Sequence, residues 1–299
     1  DEVVLGHIAG LADEIALAAV RTHAERLLHS AQPAEDIGWL YEAVTPKACR
    51  QGLGQFRTPP QIADVLQGWA SDGSDVVLDP GIGPAALSCP RFTNWTISSE
   101  PDHVYGIDQS PLSRLMGAVT LTLTGQEHST ETADFLSVAP TQLPSDVDAI
   151  VCNPPYTRYN DLSSEYRATL NDQAEQVTGR SIPGKTPLYG YFLYHAGACL
   201  SPGDRMAVVI PHHVLHRQYG TALKRYVLDN FRIHGLTLYD PTTESQFENA
   251  DTTALLLFLE ATDQETPSGT TCFIRADDAN ETDWYQELRT DQPSSQQTG

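Results

Sequence analysis

Lysine is nearly absent from this chain: only Lys47, Lys185 and Lys224 occur, and 39 Asp and Glu against 18 Lys and Arg leave a formal net charge of -21 over 299 residues. A uniformly basic surface of the kind that tracks nucleic acid by charge alone is therefore excluded. Dense carboxylates with little lysine keep a surface hydrated when salt screens ordinary charge effects, which points to a salt-rich cytoplasm. A cysteine framework is missing too. Cys49, Cys89, Cys152, Cys199 and Cys272 are odd in number and scattered, with no Cys-x-x-Cys pair, so neither a disulfide scaffold nor a zinc knuckle is indicated. No apolar run approaches the ~18 residues needed to span a bilayer, and the first residues lack the charged-then-apolar order of a signal peptide. A cytoplasmic protein with reduced thiols and no membrane partner is expected. The chain starts at Asp1 and ends in the polar run Gln292 to Gly299, as a piece of a longer chain would.

What is present is a helical preface followed by alternating elements. Ile8, Leu11, Ile15, Ala19, Val20, Ala24, Leu27 and Leu28 recur at helical spacing between His7 and Ser30, and a second short pattern runs from Ile37 to Val44. Pro59-Pro60 opens a third helix through Trp69, because the first turn has no use for the missing N–H. Short apolar runs then follow at Val76 to Asp79, Val104 to Asp108, around Thr132 to Phe135, Ala149 to Cys152, Met206 to Ile210, His234 to Tyr239 and Ala254 to Leu259. Helical patterns such as Pro111 to Thr124 and Leu188 to Leu200 lie between several of them. This rhythm predicts an α/β fold with a mostly parallel, roughly seven-stranded sheet covered by helices on both faces. The division expected is a helical segment over 1–50, a catalytic α/β domain over 51–262 and an acidic extension with a polar tail over 263–299.

In such a sheet, ligands bind beyond the carboxyl ends of the strands. Acids and glycines gather there. Asp79-Pro-Gly-Ile-Gly83-Pro-Ala-Ala-Leu follows the first strand and is expected to open a helix, with Gly81 and Gly83 permitting close backbone approach. Asp108 ends the second strand, where a carboxylate can accept both hydroxyls of a ribose. Asp134-Phe135 follows the third, offering an acceptor for an exocyclic amine and a ring for stacking. Each acid alone is more often a helix cap or turn residue. The three in successive positions describe an adenosine bearing a carboxylate rather than phosphates.

The fourth strand runs into Asp148-Ala-Ile-Val-Cys-Asn-Pro-Pro-Tyr156. A base amine such as adenine N6 is a poor nucleophile, because its lone pair is delocalised into the ring. Two acceptors on its hydrogens would orient it and stabilise the charge that develops as a methyl group arrives. Asn153 supplies a side-chain carbonyl, and Pro154 a backbone carbonyl on a stiff segment. Pro155 holds the turn, and Tyr156 offers a face for a flipped-out base, worth roughly 1–3 kcal/mol. None of these groups is a strong base or nucleophile, so the methyl donor must arrive activated, as in a methyl sulfonium.

With these residues in order, Gly54-Gln-Phe-Arg-Thr58-Pro59-Pro60, Asp79-Pro80, Asp108, Asp134-Phe135 and Asn153 to Tyr156, the chain resembles the S-adenosylmethionine-dependent N6-adenine DNA methyltransferases of the class I, Rossmann-like fold. The block Ile37-Gly-Trp-Leu-Tyr-Glu42 with Gly-Gln-Phe-Arg-Thr-Pro is similar to the cores of restriction-modification and phage-defence enzymes. The likeness covers about Ile37 to Leu259. It implies that Phe56, Thr58, Pro59, Asp79, Gly81, Gly83, Asp108, Asp134 and Phe135 hold S-adenosylmethionine, that Asn153, Pro154, Pro155 and Tyr156 do the chemistry, and that Tyr156 and Arg158 meet DNA. One departure stands out: Ala85, after Pro84, occupies the place of the pattern's final glycine, making the turn stiffer and more crowded.

Charge distribution bears on the DNA assignment separately. From Val151 through Tyr239 nine Lys and Arg face six acids, whereas Asp240 onward carries thirteen acids against Arg275 and Arg289. The polar connection Thr157 to Thr186 is expected as a long loop beside the Asn-Pro-Pro-Tyr turn, able to follow phosphates. His212-His213-x-x-His216 has metal-ligand spacing but no acid or cysteine of the usual zinc type nearby, so no metal is expected. Tyr189, Tyr191, Phe192 and Tyr194 on a helical pattern are expected as core and cleft wall. The stretch after Leu259 is short and acidic, which places sequence recognition in a separate domain or subunit. Two alternatives stay open: a protein glutamine methyltransferase, which also orients a planar amide with Asn-Pro-Pro-Tyr, and a non-catalytic module that binds cofactor or DNA in a larger complex.

Overall fold

Strand residues alternate between two buried faces, and that alternation organises the computed structural model, which describes residues 22, 25–30, 32–45, 58–89, 100–182, 184–239, 254–264, 269–276 and 288. Val77, Ala149, Val151, Ala207, Val209, Leu256 and Phe258 turn to one face, where Ile62, Leu66 and Trp69 of helix α2 (Pro60–Ser71) cover them. Leu78, Ile150, Cys152, Met206, Val208, Ile210, Leu255, Leu257 and Leu259 turn to the other. There they meet Tyr189 and Leu193 of one helix and Leu223 and Val227 of another. Side chains alternate with period two along a strand, so covering both faces requires apolar residues at nearly every position. Each fully buried Leu, Ile or Phe contributes roughly 1.5–3 kcal/mol relative to exposure.

The strands are β1 (Val76–Pro80), β2 (His103–Asp108), β3 (His128–Thr132), β4 (Val147–Cys152), β5 (Arg205–Pro211), β6 (Phe231–Tyr239), β7 (Ala254–Ala261) and β8 (Cys272–Ala276). Their order across the sheet is β3-β2-β1-β4-β5-β7-β6-β8. β7 runs antiparallel to both of its neighbours, and every other pairing is parallel. From β1 the chain passes outward to β2 and β3, then returns to lay β4 on β1's other side. The resulting switch point opens a crevice between the carboxyl ends of β1 and β4.

Besides α2, the described helices are α1 (Pro33–Val44), α3 (Pro111–Thr124), α4 (Ser164–Thr178), α5 (Leu188–Gly197) and α6 (Tyr219–Asn230). Among the described residues no helix is long and apolar enough to cross a membrane. Tyr189, Tyr191, Phe192 and Tyr194 of α5 are all buried, in agreement with their expected core placement.

The mostly parallel sheet expected at roughly seven strands is present, with eight strands among the described residues; β8 pairs with β6 from within the stretch expected as an acidic extension. Three other expectations need correction. The third strand is His128–Thr132, not a run around Thr132 to Phe135. Phe135 instead begins a 3-10 turn, Phe135–Ser137, capped by the Asp134 carboxylate. The connection expected as a long loop holds the fifteen-residue helix α4, started by the Ser163 hydroxyl accepting from the Tyr166 N–H and ended by Gly179 at φ 63°. Its sequence is mostly polar, so burial of Leu170 and Ala174 fixes it in place without a broad apolar stripe. Finally, the residues after Asp79 form turns through Ser88 rather than opening a regular helix. Pro84 lacks an N–H, and Ala85 sits in the left-handed region at φ 61°. Most of the expected His7 to Ser30 helix lies outside the described residues.

Candidate active site

The turn after β1 is shaped by its contacts with β2. The backbone N–H groups of Gly81 and Ile82 both donate to the Ile107 carbonyl, at 2.7 and 3.0 Å. Gly83 N–H donates to Asp108 Oδ2 at 3.0 Å. Gly106 and Gly117 let this turn approach: a Cβ at Gly106 would meet Ile82 Cδ1 at 2.3 Å, and one at Gly117 would meet the Gly83 carbonyl at 2.7 Å. Ala85 keeps the left-handed conformation that glycine favours, with its methyl fully buried.

Three carboxylates converge here in different states. Asp79 is 1% exposed. Burial raises its pKa to about 7, the Ser88 hydroxyl opposing and the Asp108 carboxylate adding to the shift. Its Oδ2 has no hydrogen-bond partner among the described residues. A buried acceptor without a donor is costly, so this atom suits a cationic or N–H donor from a ligand. Asp108 is also raised by burial, against backbone donors from Ser110 at 2.8 Å and Gly83. Asp134 accepts from Leu136 N–H at 3.1 Å, from the Ser137 hydroxyl at 3.3 Å and from the Tyr166 hydroxyl at 2.8 Å. A carboxylate has about four lone-pair positions, so capacity for a further donor remains.

From the other side of the crevice comes the turn after β4. Asn153 Nδ2 donates to Thr58 Oγ1 at 3.0 Å, joining the two halves of the site across 95 residues and giving the amide carbonyl the acceptor role. Pro154 is buried and Pro155 half-buried. The Tyr156 hydroxyl donates to the Val209 carbonyl at 3.3 Å, and its ring meets Tyr189 edge-on with centroids 6.2 Å apart. Burial pushes its hydroxyl pKa well above the ordinary tyrosine range.

One open cleft of about 1060 Å³ collects most of these groups. Of the residues singled out in the sequence, Thr58, Asp79, Gly81, Gly83, Asp108, Asp134, Phe135, Asn153 and Pro155 line it. Pro59 caps α2 beside it, while Pro154, Tyr156 and Arg158 lie outside the lining. Arg158 is exposed at the start of the 3-10 turn Tyr159–Asp161. Phe56 falls outside the described residues. Phe135 is buried against Phe192, centroids 5.5 Å apart, and against the His195 ring at 4.8 Å.

The lining also includes residues not singled out as site residues, Tyr41 and Glu42 of α1, Ser113 of α3, Tyr166 of α4 and Leu188 of α5, together with Phe192 of α5, which was expected as core and cleft wall. Tyr41 and Glu42 end the Ile37 to Glu42 block, which was a signal in hand. Tyr166 had none, because α4 itself was not foreseen.

A family model described as N-6 DNA methylase matches residues 34–293. The type II methyltransferase M.XamI of Xanthomonas campestris pv. amaranthicola is 26% identical over 228 residues, covering 73% of this chain and 41% of its own length. M.AccI of Acinetobacter calcoaceticus is 30% identical over 110 residues, 37% of this chain and 20% of that protein. The chain thus spans less than half the length of either relative. A Listeria monocytogenes structure assigned to the class I S-adenosylmethionine-dependent methyltransferases superposes with a TM-score of 0.62 at 17% identity, covering 86% of this chain and 81% of that one. At that identity the likeness concerns the fold.

Proposed function

Since the chain belongs to the N-6 DNA methylase family, we propose that it holds S-adenosylmethionine in this cleft and transfers the methyl group to the exocyclic N6 of a flipped-out adenine in DNA, as part of a restriction-modification or phage-defence system. The observation that carries the proposal is the convergence of Asp79, Asp108, Asp134 and Asn153 on one cleft at the sheet's switch point.

The donor set fits the cofactor. Asp79, with an unpaired buried oxygen, takes the methionine ammonium. Asp108, already fixed by Gly83 and Ser110, takes the ribose hydroxyls. Asp134 takes the adenine amine, and Phe135 with Phe192 packs the ring. When bound, S-adenosylmethionine supplies an activated methyl group on a sulfonium. Asn153, oriented by Thr58, accepts from the N6 hydrogens of the target base, and the Pro154 carbonyl takes the second. These acceptors turn the nitrogen lone pair toward the methyl carbon and stabilise the positive charge on N6 until its surplus proton leaves to water. Oriented dipoles of this kind typically contribute 10²–10³-fold each.

Recognition of a particular DNA sequence is assigned to a further domain or subunit. The test is direct. The purified chain is incubated with S-adenosylmethionine and unmethylated DNA across a potassium chloride series, and the digested DNA is analysed for N6-methyladenine by mass spectrometry. Its formation is the expected result. Cofactor binding without N6-methyladenine, but with methyl incorporation into a glutamine-containing peptide, would replace DNA by protein as the substrate.

A further inference from the structure

One wall of the cofactor cleft holds a polar group that the assignments above leave unused. Helix α3 begins just after Asp108, with Ser110 as its N-cap and Pro111 in the first turn; the Ser110 hydroxyl accepts from the Ser113 N–H at 3.3 Å. Ser113 and Gly117 stand about one helical turn apart and so share a face of α3. That face is pressed on the turn after β1, since a Cβ at Gly117 would meet the Gly83 carbonyl at 2.7 Å. Gly83 in turn donates its N–H to Asp108 Oδ2. Ser113 thus stands where the ends of β1 and β2 meet, and it forms part of the cleft wall with Gly83, Asp108 and Gln109.

Ser113 is 1% exposed, and its Oγ has no hydrogen-bond partner among the described residues. Other hydroxyls of the same helix are satisfied: Thr120, Thr122 and Thr124 donate to the carbonyls of Met116, Ala118 and Thr120. An unpaired buried hydroxyl costs stability, so packing alone would be served better by alanine, which also has the higher helix propensity. A serine hydroxyl moves among staggered positions about a single bond, so Oγ can turn from the helix toward an oxygen in the cleft.

Asp108 selects that oxygen. Its two carboxylate oxygens each already accept one backbone N–H, from Ser110 at 2.8 Å and from Gly83 at 3.0 Å, which leaves about one lone-pair position on each. The two hydroxyls of a ribose donating to Asp108 fill those positions and spend both of their hydrogens. Their own oxygens still need a donor once buried, and a carboxylate cannot supply one. We infer that Ser113 Oγ–H donates to a ribose hydroxyl oxygen of the bound cofactor, so that Ser113 is a specificity-determining residue reading the diol together with Asp108; this rests on the S-adenosylmethionine reading above. The subsite takes a nucleoside with a free diol. A ligand lacking one hydroxyl leaves the acid or the serine unpaired, and a site built to pair a hydroxyl discriminates against the analogue without it.

Calorimetric titration with S-adenosylhomocysteine and with its 2′-deoxy and 3′-deoxy analogues tests this on the unaltered chain and on Ser113→Ala, with melting temperatures of the ligand-free proteins alongside. Ser113→Ala should weaken S-adenosylhomocysteine binding roughly three- to tenfold, the worth of one neutral hydrogen bond. That loss should vanish on the analogue missing the hydroxyl that accepts from Ser113, a pairwise coupling that a packing role would not produce. Ser113→Cys, close in shape but a weak donor, should lose affinity as alanine does. Without ligand, Ser113→Ala should melt at or above the temperature of the unaltered chain, because an unpaired buried hydroxyl has been removed. No loss of affinity, or a loss of equal size on all three ligands, would make Ser113 a packing residue and overturn the inference. A lowered melting temperature of ligand-free Ser113→Ala would also overturn it, by showing that the hydroxyl already serves the fold. Failure of the unaltered chain to bind S-adenosylhomocysteine would overturn the cofactor reading and the ribose subsite with it.

Discussion

Asn153 Nδ2 and Thr58 Oγ1 are 3.0 Å apart although 95 residues separate them in the chain. Thr58 stands just before α2 and Asn153 just after β4, so the bond couples the helix that covers one face of the sheet to the turn that carries the acceptor. Replacing Asn153 by Ala should reduce methyl transfer by at least about 100-fold. Thr58→Val should cost about tenfold or less, the worth of one orienting hydrogen bond. Calorimetry should find cofactor affinity little changed for Asn153→Ala. Methylation that survived this substitution would favour a binding module over an enzyme.

Tyr166 is the contact through which α4 closes on the site, its hydroxyl donating to Asp134 at 2.8 Å. Tyr166→Phe removes a hydrogen bond to a charged acceptor, worth about 1.5–3 kcal/mol where desolvated and less at this partly exposed position. Faster amide hydrogen exchange over 164–178 is expected, with a several-fold weaker affinity for S-adenosylmethionine. Exchange unchanged over that helix would show that burial of Leu170 and Ala174 alone holds it.

The pH dependence of stability follows from Asp79. Its pKa in the folded protein is raised to about 7, above the ordinary carboxylate value. Between about pH 4 and 7 the folded state retains a proton that the unfolded chain releases, so stability falls as pH rises across that window. Asp108, raised by the same cause, acts in the same direction. Asp79→Asn should therefore flatten the decline between about pH 4 and 7 in chemical denaturation, by an amount on the order of a few kcal/mol. The same substitution should weaken cofactor binding, since it removes the charge that meets the ammonium.

Gly117 sets how closely α3 can lie against the turn after β1. An added Cβ would come within 2.7 Å of the Gly83 carbonyl, a backbone atom that cannot rotate away. Gly117→Ala should cost about 1–3 kcal/mol of stability in denaturant titration and shift the turn that presents Gly83 to Asp108. Gly106→Ala meets the Ile82 side chain rather than backbone, most closely its Cδ1 end at 2.3 Å with Cβ and Cγ1 at 3.2 Å, so part of the clash can be relieved by turning Ile82 and the cost should be smaller.

Salt should stabilise the protein if its acid excess is an adaptation to salt. With 39 acids against 18 Lys and Arg, repulsion dominates at low ionic strength. Raising potassium chloride shortens the screening length from about 10 Å at 0.1 M to about 3 Å at 1 M. A melting temperature that climbs through this range is the expected result, and one that stays flat would remove the halophilic assignment.

Local chemistry wrote much of this molecule into the sequence. Apolar runs ending in Asp79, Asp108 and Asn153 announced buried parallel strands with ligands at their carboxyl ends, because a two-sided strand needs continuous apolar residues and a parallel sheet opens at that end. Features set by packing between distant segments did not show. Helix α4 is too polar to advertise itself, and only docking of Leu170, Ala174 and Tyr166 gives it a place. The short β3 is half exposed, so it lacked an apolar run and its position was misjudged. Ala85 read as a missing glycine, whereas the fold holds it in glycine's conformation. The sequence by itself determined which chemical groups are available and the strand ends on which they sit. Tertiary structure alone decided that Thr58 would steady Asn153 and that Tyr166 would close on Asp134, because contacts across tens of residues depend on how the sheet is wound rather than on any local pattern.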